Sequence, residues 1–321
     1  MKVLITGGLG FIGSNIAKKF ISDKKNVVTI IDNLDINCGG NLYNIESFKD
    51  DLELVNADIC DKKLAQEIIK DKDLIINCAA ISSHSLSMEE PKRNINVNVE
   101  GVLNILETMR SLNRDIQLIQ IGTTTQTGIL DNQDYIDEQS IQNPLDVYSA
   151  SKVFAEQLTK IYSTSYGLNI SNIRLPNVFG PRAEINSSKL TFNNYFIGQA
   201  LQKKPINVYS PGDQIRNIIF IDDAVDAVYL LSKFENKKNE TFLAVSDNHH
   251  SVLEIAKITA KLFNGSVSLV DWPKTNTQDV GSVKFSNKKI KSVLSWEPKY
   301  NLKDGLEITK EYYSKNLEKY L

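Results

Sequence analysis

Short apolar runs alternate with segments of helical spacing over the first half of the chain. In the helical segments apolar residues recur at steps of three or four, as between Val99 and Leu112. Uninterrupted apolar runs are typical of strands buried on both faces, as in a parallel sheet covered by helices. The alternation therefore predicts right-handed βαβ units in a doubly wound α/β sheet. The predicted strands contain Val3–Ile5, Val27–Ile31, Leu74–Asn77, Leu118–Ile121 and Ile170–Arg174.

The second half of the chain has a looser pattern, and prolines divide it into shorter segments. We therefore predict a first domain over residues 1–175 and, over residues 176–321, mainly a smaller α/β lobe. The apolar stretch Ile218–Ile221 and the helical pattern after it, together near residues 215–235, are expected to return to the sheet of the first domain. The charged segment Leu302–Tyr320 predicts a solvated terminal helix.

Composition excludes several broad classes. With 37 basic and 39 acidic residues the net charge is -2, so a nucleic-acid partner is not expected. Every apolar run is shorter than a membrane span requires and no signal-peptide pattern begins the chain, so we expect a soluble cytoplasmic protein with no membrane partner. Cys38, Cys60 and Cys78 are too few and too scattered for a disulfide framework or a metal site, and we expect reduced thiols.

A glycine motif follows the first predicted strand. Gly7, Gly10 and Gly13 have the spacing G-x-x-G-x-x-G, in the passage from the strand into a helix that begins near Phe11. Glycines allow unusual backbone angles and let a pyrophosphate approach the main chain. The helix N-terminus offers N–H donors and the positive end of a dipole. The position predicts a dinucleotide site over this loop, including Phe11 and Ile12.

The ends of the next strands carry further candidates for this site. Asp32, with Asn33 beside it, ends the second strand, where an acid accepts hydrogen bonds from ribose hydroxyls and repels a 2′-phosphate. No arginine follows closely, so NAD is favoured over NADP; a surface turn is the alternative interpretation of Asp32. Asp58 and Ile59 follow the third strand, at a position where the amino group of an adenine could be bound. The small Ala79 and Ala80 follow the fourth strand and leave room for a cofactor.

A candidate catalytic group combines Thr123, Tyr148 and Lys152. Tyr148 and Lys152 are four residues apart, so on a helix they share one face. The ammonium group, helped by the oxidised nicotinamide, is expected to lower the pKa of the phenol and make it a usable acid–base group. Thr123 follows the fifth strand and offers a hydroxyl to the substrate. The alternative interpretation of Tyr148 and Lys152 is an ordinary exposed helix face. The threonines that follow the fifth strand disfavour this alternative.

These motifs resemble the extended short-chain dehydrogenase/reductase family, in its nucleotide-sugar epimerase/dehydratase branch. The resemblance covers nearly the whole chain and implies a Rossmann-type sheet, a smaller substrate lobe, NAD and a homodimer formed by helices near residues 99–112 and 151–162. The matching segments are Thr6–Ser14, Asp32–Leu34, Asp58–Ile59, Asn96–Gly101, Tyr148–Lys152, Arg174–Arg182, Gly212–Asp223 and Leu294–Pro298.

The resemblance also implies roles for individual residues. Tyr148 matches the acid–base residue and Lys152 the residue that also holds the nicotinamide ribose. Asn98 and Pro176 match positions beside the cofactor, whereas Asn177 and Arg216 match residues that bind the sugar diphosphate. A second diphosphate-binding arginine of the family has no counterpart here: Asn276 is nearest, and Lys274 lies two residues before it.

Further substrate contacts are expected on both sides of the site. Ser82 and His84 follow the fourth strand and are candidates to face the sugar, with a polar surface loop as the alternative for His84. Tyr209 is a candidate for the nucleoside pocket or for packing. Four further residues are not expected to contact a substrate or cofactor. Phe154 and Phe196 are expected in the core, and His249 and His250 on the surface.

The turn after the fifth strand narrows the expected reaction. Sugar 4,6-dehydratases have Thr-Asp-Glu where this chain has Thr123–Thr125, and threonines cannot replace those acids. Uronic-acid decarboxylases usually keep the glutamate, so Thr125 argues mildly against them. We therefore expect a 4-epimerase of a nucleotide-diphosphate sugar, UDP-hexose-like, working through a transient 4-keto sugar. The alternatives are an NAD(P)H-dependent reductase of a 4-keto-6-deoxy nucleotide sugar and a non-catalytic dinucleotide-bound scaffold. Polysaccharide precursor synthesis is the expected pathway.

Overall fold

A computed structural model describes residues 1–112, 115–129, 135–234, 239–272 and 281–321. Lys274 and Asn276 lie outside the described residues. Three sheets contain the strands. The strands are β1 (Lys2–Thr6), β2 (Val27–Asp32), β3 (Glu53–Asn56), β4 (Leu74–Asn77), β5 (Gln117–Thr123), β6 (Asn169–Leu175), β7 (Asn177–Phe179), β8 (Ile206–Tyr209), β9 (Ile215–Phe220), β10 (Glu240–Leu243), β11 (His249–Ser251) and β12 (Val267–Val270).

Helices connect these strands and cover both faces of the largest sheet. A π-helical turn over Asn96–Glu100 joins α4 to α5, and a 3-10 turn over Thr124–Thr127 follows β5. The α-helices are α1 (Phe11–Ile21), α2 (Lys62–Ile69), α3 (His84–Glu89), α4 (Pro91–Ile95), α5 (Gly101–Leu112), α6 (Val147–Tyr166), α7 (Phe192–Leu201), α8 (Ile221–Ser232), α9 (Val252–Phe263), α10 (Lys288–Leu294) and α11 (Leu302–Asn316).

The largest sheet has seven parallel strands in the order β10-β6-β5-β4-β1-β2-β3. Its central strands are buried on both faces: Val3 and Ile5 belong to one core cluster and Leu4 to the cluster on the other side. This two-sided burial explains the uninterrupted apolar runs. The predicted doubly wound, Rossmann-type α/β fold is confirmed.

The segment near residues 215–235 only partly follows its prediction. β9 does not join the central sheet; it pairs with β7 and β11 in a separate three-stranded sheet, with Ile219 opposite Val178. The chain passes from β6 through Pro176 directly into β7, so β7 supplies the edge on which β9 pairs. The following helix α8 packs against α1 and against β5 and β6 of the central sheet. The strand that extends the central sheet beside β6 is β10.

The terminal helix and one aromatic residue differ from their predictions. One face of α11 is buried through Leu302, Leu306 and Tyr313, so this helix is packed and not merely solvated. Phe196 lies in the core as expected, but Phe154 is 53% exposed because it lies on the outer side of α6. Among the described residues, no helix combines the length and apolar character needed to cross a membrane.

Candidate active site

The glycine motif forms a close-fitting cradle between β1 and α1. Gly7 has φ +65°, in the left-handed region that favours glycine. A Cβ on Gly13 would lie 2.2 Å from the carbonyl oxygen of Gly7, so this turn excludes any side chain at that position. The N-terminus of α1 has no side-chain cap at Gly10. Gly7, Gly10, Phe11, Ile12 and Gly13 all line the main cavity, where the N-terminal N–H groups suit an anionic group.

The residues predicted to bind adenosine line a second, smaller cavity. Asp32 is buried, and its carboxylate accepts hydrogen bonds from the N–H groups of Leu9 (2.9 Å) and Leu34 (2.8 Å). Burial raises the pKa of Asp32, and these two hydrogen bonds oppose the rise. Asn33 donates to Asp58 at 3.1 Å. The residues that line this cavity include Asp32, Asn33, Asp58, Ile59, Ala79 and Ala80.

These groups fit NAD. The cradle leaves no space for a side chain beside the main chain, and an acidic residue lies at the end of β2 where a ribose would be held. Asn98, in contrast, lines neither cavity. Its side-chain amide donates to the Ile81 carbonyl (3.1 Å) and to Ser151 Oγ (2.9 Å), so it fixes the loop after β4 against α6.

Tyr148 and Lys152 lie on the inner face of α6 and line the main cavity together with Thr123. Lys152 Nζ donates to the Ile121 carbonyl oxygen at 3.0 Å, and burial lowers the pKa of this lysine to about 8. The side chain of Thr123 acts to lower the pKa of the Tyr148 phenol. The structure thus brings the predicted catalytic group together at the carboxyl end of β5.

The protein's own groups raise the pKa of Tyr148. Burial raises this pKa to about 12, the Thr123 side chain opposes the rise, and the charge of Asp146 adds to it. The Lys152 ammonium group is directed to the Ile121 carbonyl, so the lowering predicted from Lys152 together with the oxidised nicotinamide stays a prediction. Tyr148 therefore keeps its proton at neutral pH in the protein alone.

A polar cluster beside Tyr148 was only partly foreseen. His84 Nδ1 lies 2.7 Å from Asp146 Oδ2, and the imidazole ring packs edge-on against the Tyr148 ring with centroids 5.2 Å apart. Burial alone would raise the pKa of Asp146, but hydrogen bonds from His84 and Ser149 hold it below its usual value. Sequence reasoning missed Asp146 and Ser149; the signal available was an N-cap aspartate two residues before Tyr148.

The second lobe closes the cavity from the other side. Pro176, Asn177 and Arg216 line it as predicted, and so does Ser82 from the loop after β4. Arg216 donates to the carbonyl oxygens of Ile215 and Gly281, which fixes its guanidinium group at the cavity wall.

The predicted Tyr209 does not line the cavity. It is half exposed and stacks on Trp272, with ring centroids 4.7 Å apart. Trp272 lines the cavity and was missed because no motif surrounds it. Both predicted surface histidines lie in β11, where His249 is half-buried and accepts a hydrogen bond from the Phe285 N–H at 3.0 Å.

One cavity of about 820 Å³ joins the glycine cradle, the catalytic group and the second lobe. Its size lies toward the upper end for ligand pockets. A hydroxyl bound beside Thr123 and Tyr148 would face an acid–base group, with anion-binding groups on both sides. The arrangement suits proton transfer at a substrate hydroxyl.

Comparisons with known proteins agree with this arrangement. The model of the NAD-dependent epimerase/dehydratase family matches residues 3–244. The chain is 32% identical to a putative UDP-glucose 4-epimerase of Methanocaldococcus jannaschii, over 95% of this chain and 96% of that protein. It is 28% identical to UDP-glucuronic acid decarboxylase 3 of Arabidopsis thaliana, over 97% and 88%. It also resembles a crystal structure of dTDP-glucose 4,6-dehydratase from Bacillus anthracis in complex with NAD, with a TM-score of 0.87, 26% identity and coverage of 100% and 98%.

Proposed function

Because the chain belongs to the NAD-dependent epimerase/dehydratase family, we propose that it is a nucleotide-sugar 4-epimerase that acts on a UDP-hexose. The observation that carries the proposal is the turn Thr123–Thr127 beside Tyr148 and Lys152. It offers hydroxyl groups to the cavity, and it has no carboxylate at Thr124 or Thr125 for a dehydration. The M. jannaschii relative, described as a putative UDP-glucose 4-epimerase, supports the same reaction.

In the proposed reaction this chain's residues bind, orient and move a proton. When bound, NAD exchanges a hydride with the carbon that carries the reacting hydroxyl. Tyr148 takes the proton of that hydroxyl and later returns it, while Thr123 holds the hydroxyl by a hydrogen bond. Arg216 and Asn177 bind the diphosphate, so the sugar can turn and present its other face without leaving the cavity. Because the substrate regains what it lost, no reduced cofactor is consumed.

The proposal includes a division of labour between the two parts of the chain. Residues 1–175 bind NAD, and residues 176–321 mainly hold the nucleotide sugar. We also propose a homodimer. Phe154 and Ile161 lie seven residues apart on one side of α6 and are 53% and 55% exposed, which leaves an apolar stripe for the α6 helix of a second copy.

The test is to incubate the purified protein with UDP-, dTDP- and CDP-hexoses without reduced cofactor and to follow the sugars by proton NMR. We expect the C4 epimer of a UDP-hexose with no net change in reduced cofactor. Consumption of a 4-keto-6-deoxy sugar only with NADH or NADPH would replace the proposal by the reductase. Release of CO₂ from UDP-glucuronic acid would replace it by the decarboxylase.

A variant separates an enzyme from a scaffold. Tyr148→Phe removes one hydroxyl and keeps the buried ring, so the fold should remain. We expect it to lose turnover by about a hundredfold or more. A scaffold would show no turnover in either protein and equal NAD binding in both.

A further inference from the structure

The turn after β2 brings a further carboxylate to the adenosine cavity, the smaller cavity lined by Asp32 and Asp58. Asp35 lines this cavity as well, and none of the described residues that line it is a lysine or an arginine. The Asp35 carboxylate accepts a hydrogen bond from the Asn37 N–H at 3.1 Å, and the Asp35 carbonyl oxygen accepts one from the Cys38 N–H at 3.0 Å. Asp35 therefore fixes the turn that follows the end of β2.

An arginine from a distant part of the sequence reaches this turn. Arg93, on α4, forms an ion pair with Asp35 through one guanidinium nitrogen and donates to Glu90 Oε2 at 2.9 Å through another. Its charge also attracts the Asp58 carboxylate. Asp35 and Arg93 are 58 positions apart, so the absence of an arginine close after β2 gave no sign of this contact. The guanidinium group lies at the rim of the adenosine cavity, beside a residue that lines it.

We propose that Asp35 is a specificity-determining residue for the cofactor: it holds Arg93, keeps that guanidinium group from a 2′-phosphate, and so disfavours NADP. Arginine is the usual partner of the 2′-phosphate in dinucleotide sites, because its planar group matches phosphate oxygens in pairs. Selection of NAD then depends on two acids. Asp32 accepts from the ribose, and Asp35 withholds the arginine. The inference goes beyond the proposed reaction and does not depend on which sugar is bound.

The ion pair is shielded enough to hold the arginine. The side chains of Asp35 and Arg93 are 16% and 37% exposed, whereas both side chains of the Lys189–Glu89 pair are 54% exposed. Water and salt screen an ion pair less when one partner is mostly buried. A 2′-phosphate would have to take Arg93 from its partner and also approach the carboxylates that line the cavity. Both requirements oppose the binding of NADP.

Asp35→Asn is the decisive variant because the two carboxylate oxygens have different partners. Oδ1 accepts from the Asn37 N–H, whereas Oδ2 pairs with Arg93 and accepts from the Cys38 thiol at 3.3 Å. In Asp35→Asn the amide oxygen takes the place of Oδ1, so the turn keeps its capping hydrogen bond. The amide NH₂ group takes the place of Oδ2 and cannot hold a guanidinium group, so Arg93 is released.

The matched control is Asp51→Asn. Asp51 is half exposed, pairs with Lys24 at 3.1 Å, and lines neither of the two cavities. Its replacement removes the same charge from the protein as Asp35→Asn does. A second test variant, Asp35→Ser, also keeps an oxygen that can cap the turn and also lacks the charge.

The readout is the binding of NAD⁺ and of NADP⁺, measured by calorimetry at low salt on each protein freed of bound nucleotide. We expect the parent protein and Asp51→Asn to have the same ratio of the NADP⁺ Kd to the NAD⁺ Kd, with NAD⁺ bound more tightly. Asp35→Asn and Asp35→Ser should lower this ratio by about tenfold, because the 2′-phosphate gains charge-assisted hydrogen bonds. NAD⁺ should bind nearly as in the parent protein, which also shows that the variants are folded.

Two outcomes of this experiment would overturn the inference. One is an unchanged ratio in both Asp35 variants. The other is an equal loss of NAD⁺ and NADP⁺ binding, which would make Asp35 only a support for the turn. Neither outcome involves a sugar, so the epimerase proposal is tested separately by turnover.

A double variant tests the part assigned to Arg93. In Asp35→Asn with Arg93→Gln the carboxylate and the guanidinium group are both absent, so the gain in NADP⁺ binding should be lost and the ratio should return toward that of the parent protein. A double variant that keeps the whole gain would show that Asp35 only repels the phosphate. That result would overturn the withholding of Arg93.

Discussion

Lys152 is an ionisable residue buried in the candidate active site. Its side chain is almost inaccessible, and its ammonium group donates to one backbone carbonyl, that of Ile121. Burial disfavours the charged form, which is why its pKa is lowered to about 8. The same lysine shares a helix face with Tyr148. The proposed role beside the phenol requires its positive charge, whereas burial of that charge lowers the stability of the fold. A residue kept in such a place at the expense of stability is typical of a functional site.

Replacing this lysine should therefore stabilise the protein. The unfolded chain binds a proton at Lys152 up to its ordinary pKa of 10.5, whereas the folded chain binds it only up to about 8. The folded state is penalised below pH 8, and the penalty disappears as the pH rises from 8 to 10.5. We expect Lys152→Met to raise the free energy of unfolding by about 3 kcal/mol at neutral pH. Urea unfolding of the NAD-free proteins at neutral and at alkaline pH measures this, and an equal difference at both would contradict the assignment.

Residues with local signals were predictable, and residues defined by distant contacts were not. Gly7, Asp32 and Tyr148 follow from strand ends and short spacings, because the carboxyl ends of parallel strands meet at one edge. The contact between His84 and Asp146 joins positions 62 apart in the chain, and it depends on how α3 packs on α6. Trp272 lines the cavity without any motif around it.

At the scale of elements, α11 shows why charge alone is a poor guide to exposure. Its sequence is rich in charged residues, yet Leu302, Leu306 and Tyr313 fall on one buried face. The end of the chain continues this packing. Tyr320 donates to Asn44 Oδ1 at 2.7 Å, and Asn44 donates to the carbonyl oxygen of Leu9 at 2.8 Å. The terminal segment thus supports the glycine cradle, a contact that only the folded chain creates.

Tyr320→Phe should loosen this support. It removes the hydrogen bond that Tyr320 donates to the buried Asn44 side chain and also the contact between the Tyr320 and Tyr312 hydroxyl groups, which together cost about 1–3 kcal/mol of folding free energy. We expect a lower midpoint of urea unfolding and faster loss of bound NAD. Tyr166→Phe is the matched control, because Tyr166 is an exposed tyrosine on α6 and its replacement should change neither quantity. Equal stability of both variants would show that the terminal hydrogen bond contributes nothing.

At the scale of the whole molecule, α6 serves two sides at once. Its inner face holds Tyr148 and Lys152 against the cavity, and its outer face carries the exposed Phe154 and Ile161. An apolar stripe on a helix is normally covered in the assembled protein. A second copy placed there would also hold rigid the helix that positions Tyr148 and Lys152. The exposed position of Phe154, which the sequence predicted as core, is the observation that makes the proposed dimer testable.

Charges placed on this stripe should separate the two copies. In Phe154→Arg with Ile161→Arg, close approach of two α6 helices would bury four unpaired charges, a cost far larger than most interfaces tolerate. We expect the parent protein to have the mass of a dimer by light scattering and the double variant to have that of a monomer. Leu269→Arg is the control, since Leu269 is 55% exposed on β12, which packs against β8 and α9, and its replacement should leave the dimer intact. A monomeric parent protein would refute the dimer. A double variant that stays dimeric would show that the interface lies elsewhere. If the double variant is a folded monomer with weaker turnover, the partner's role is to keep α6, and with it Tyr148, in position.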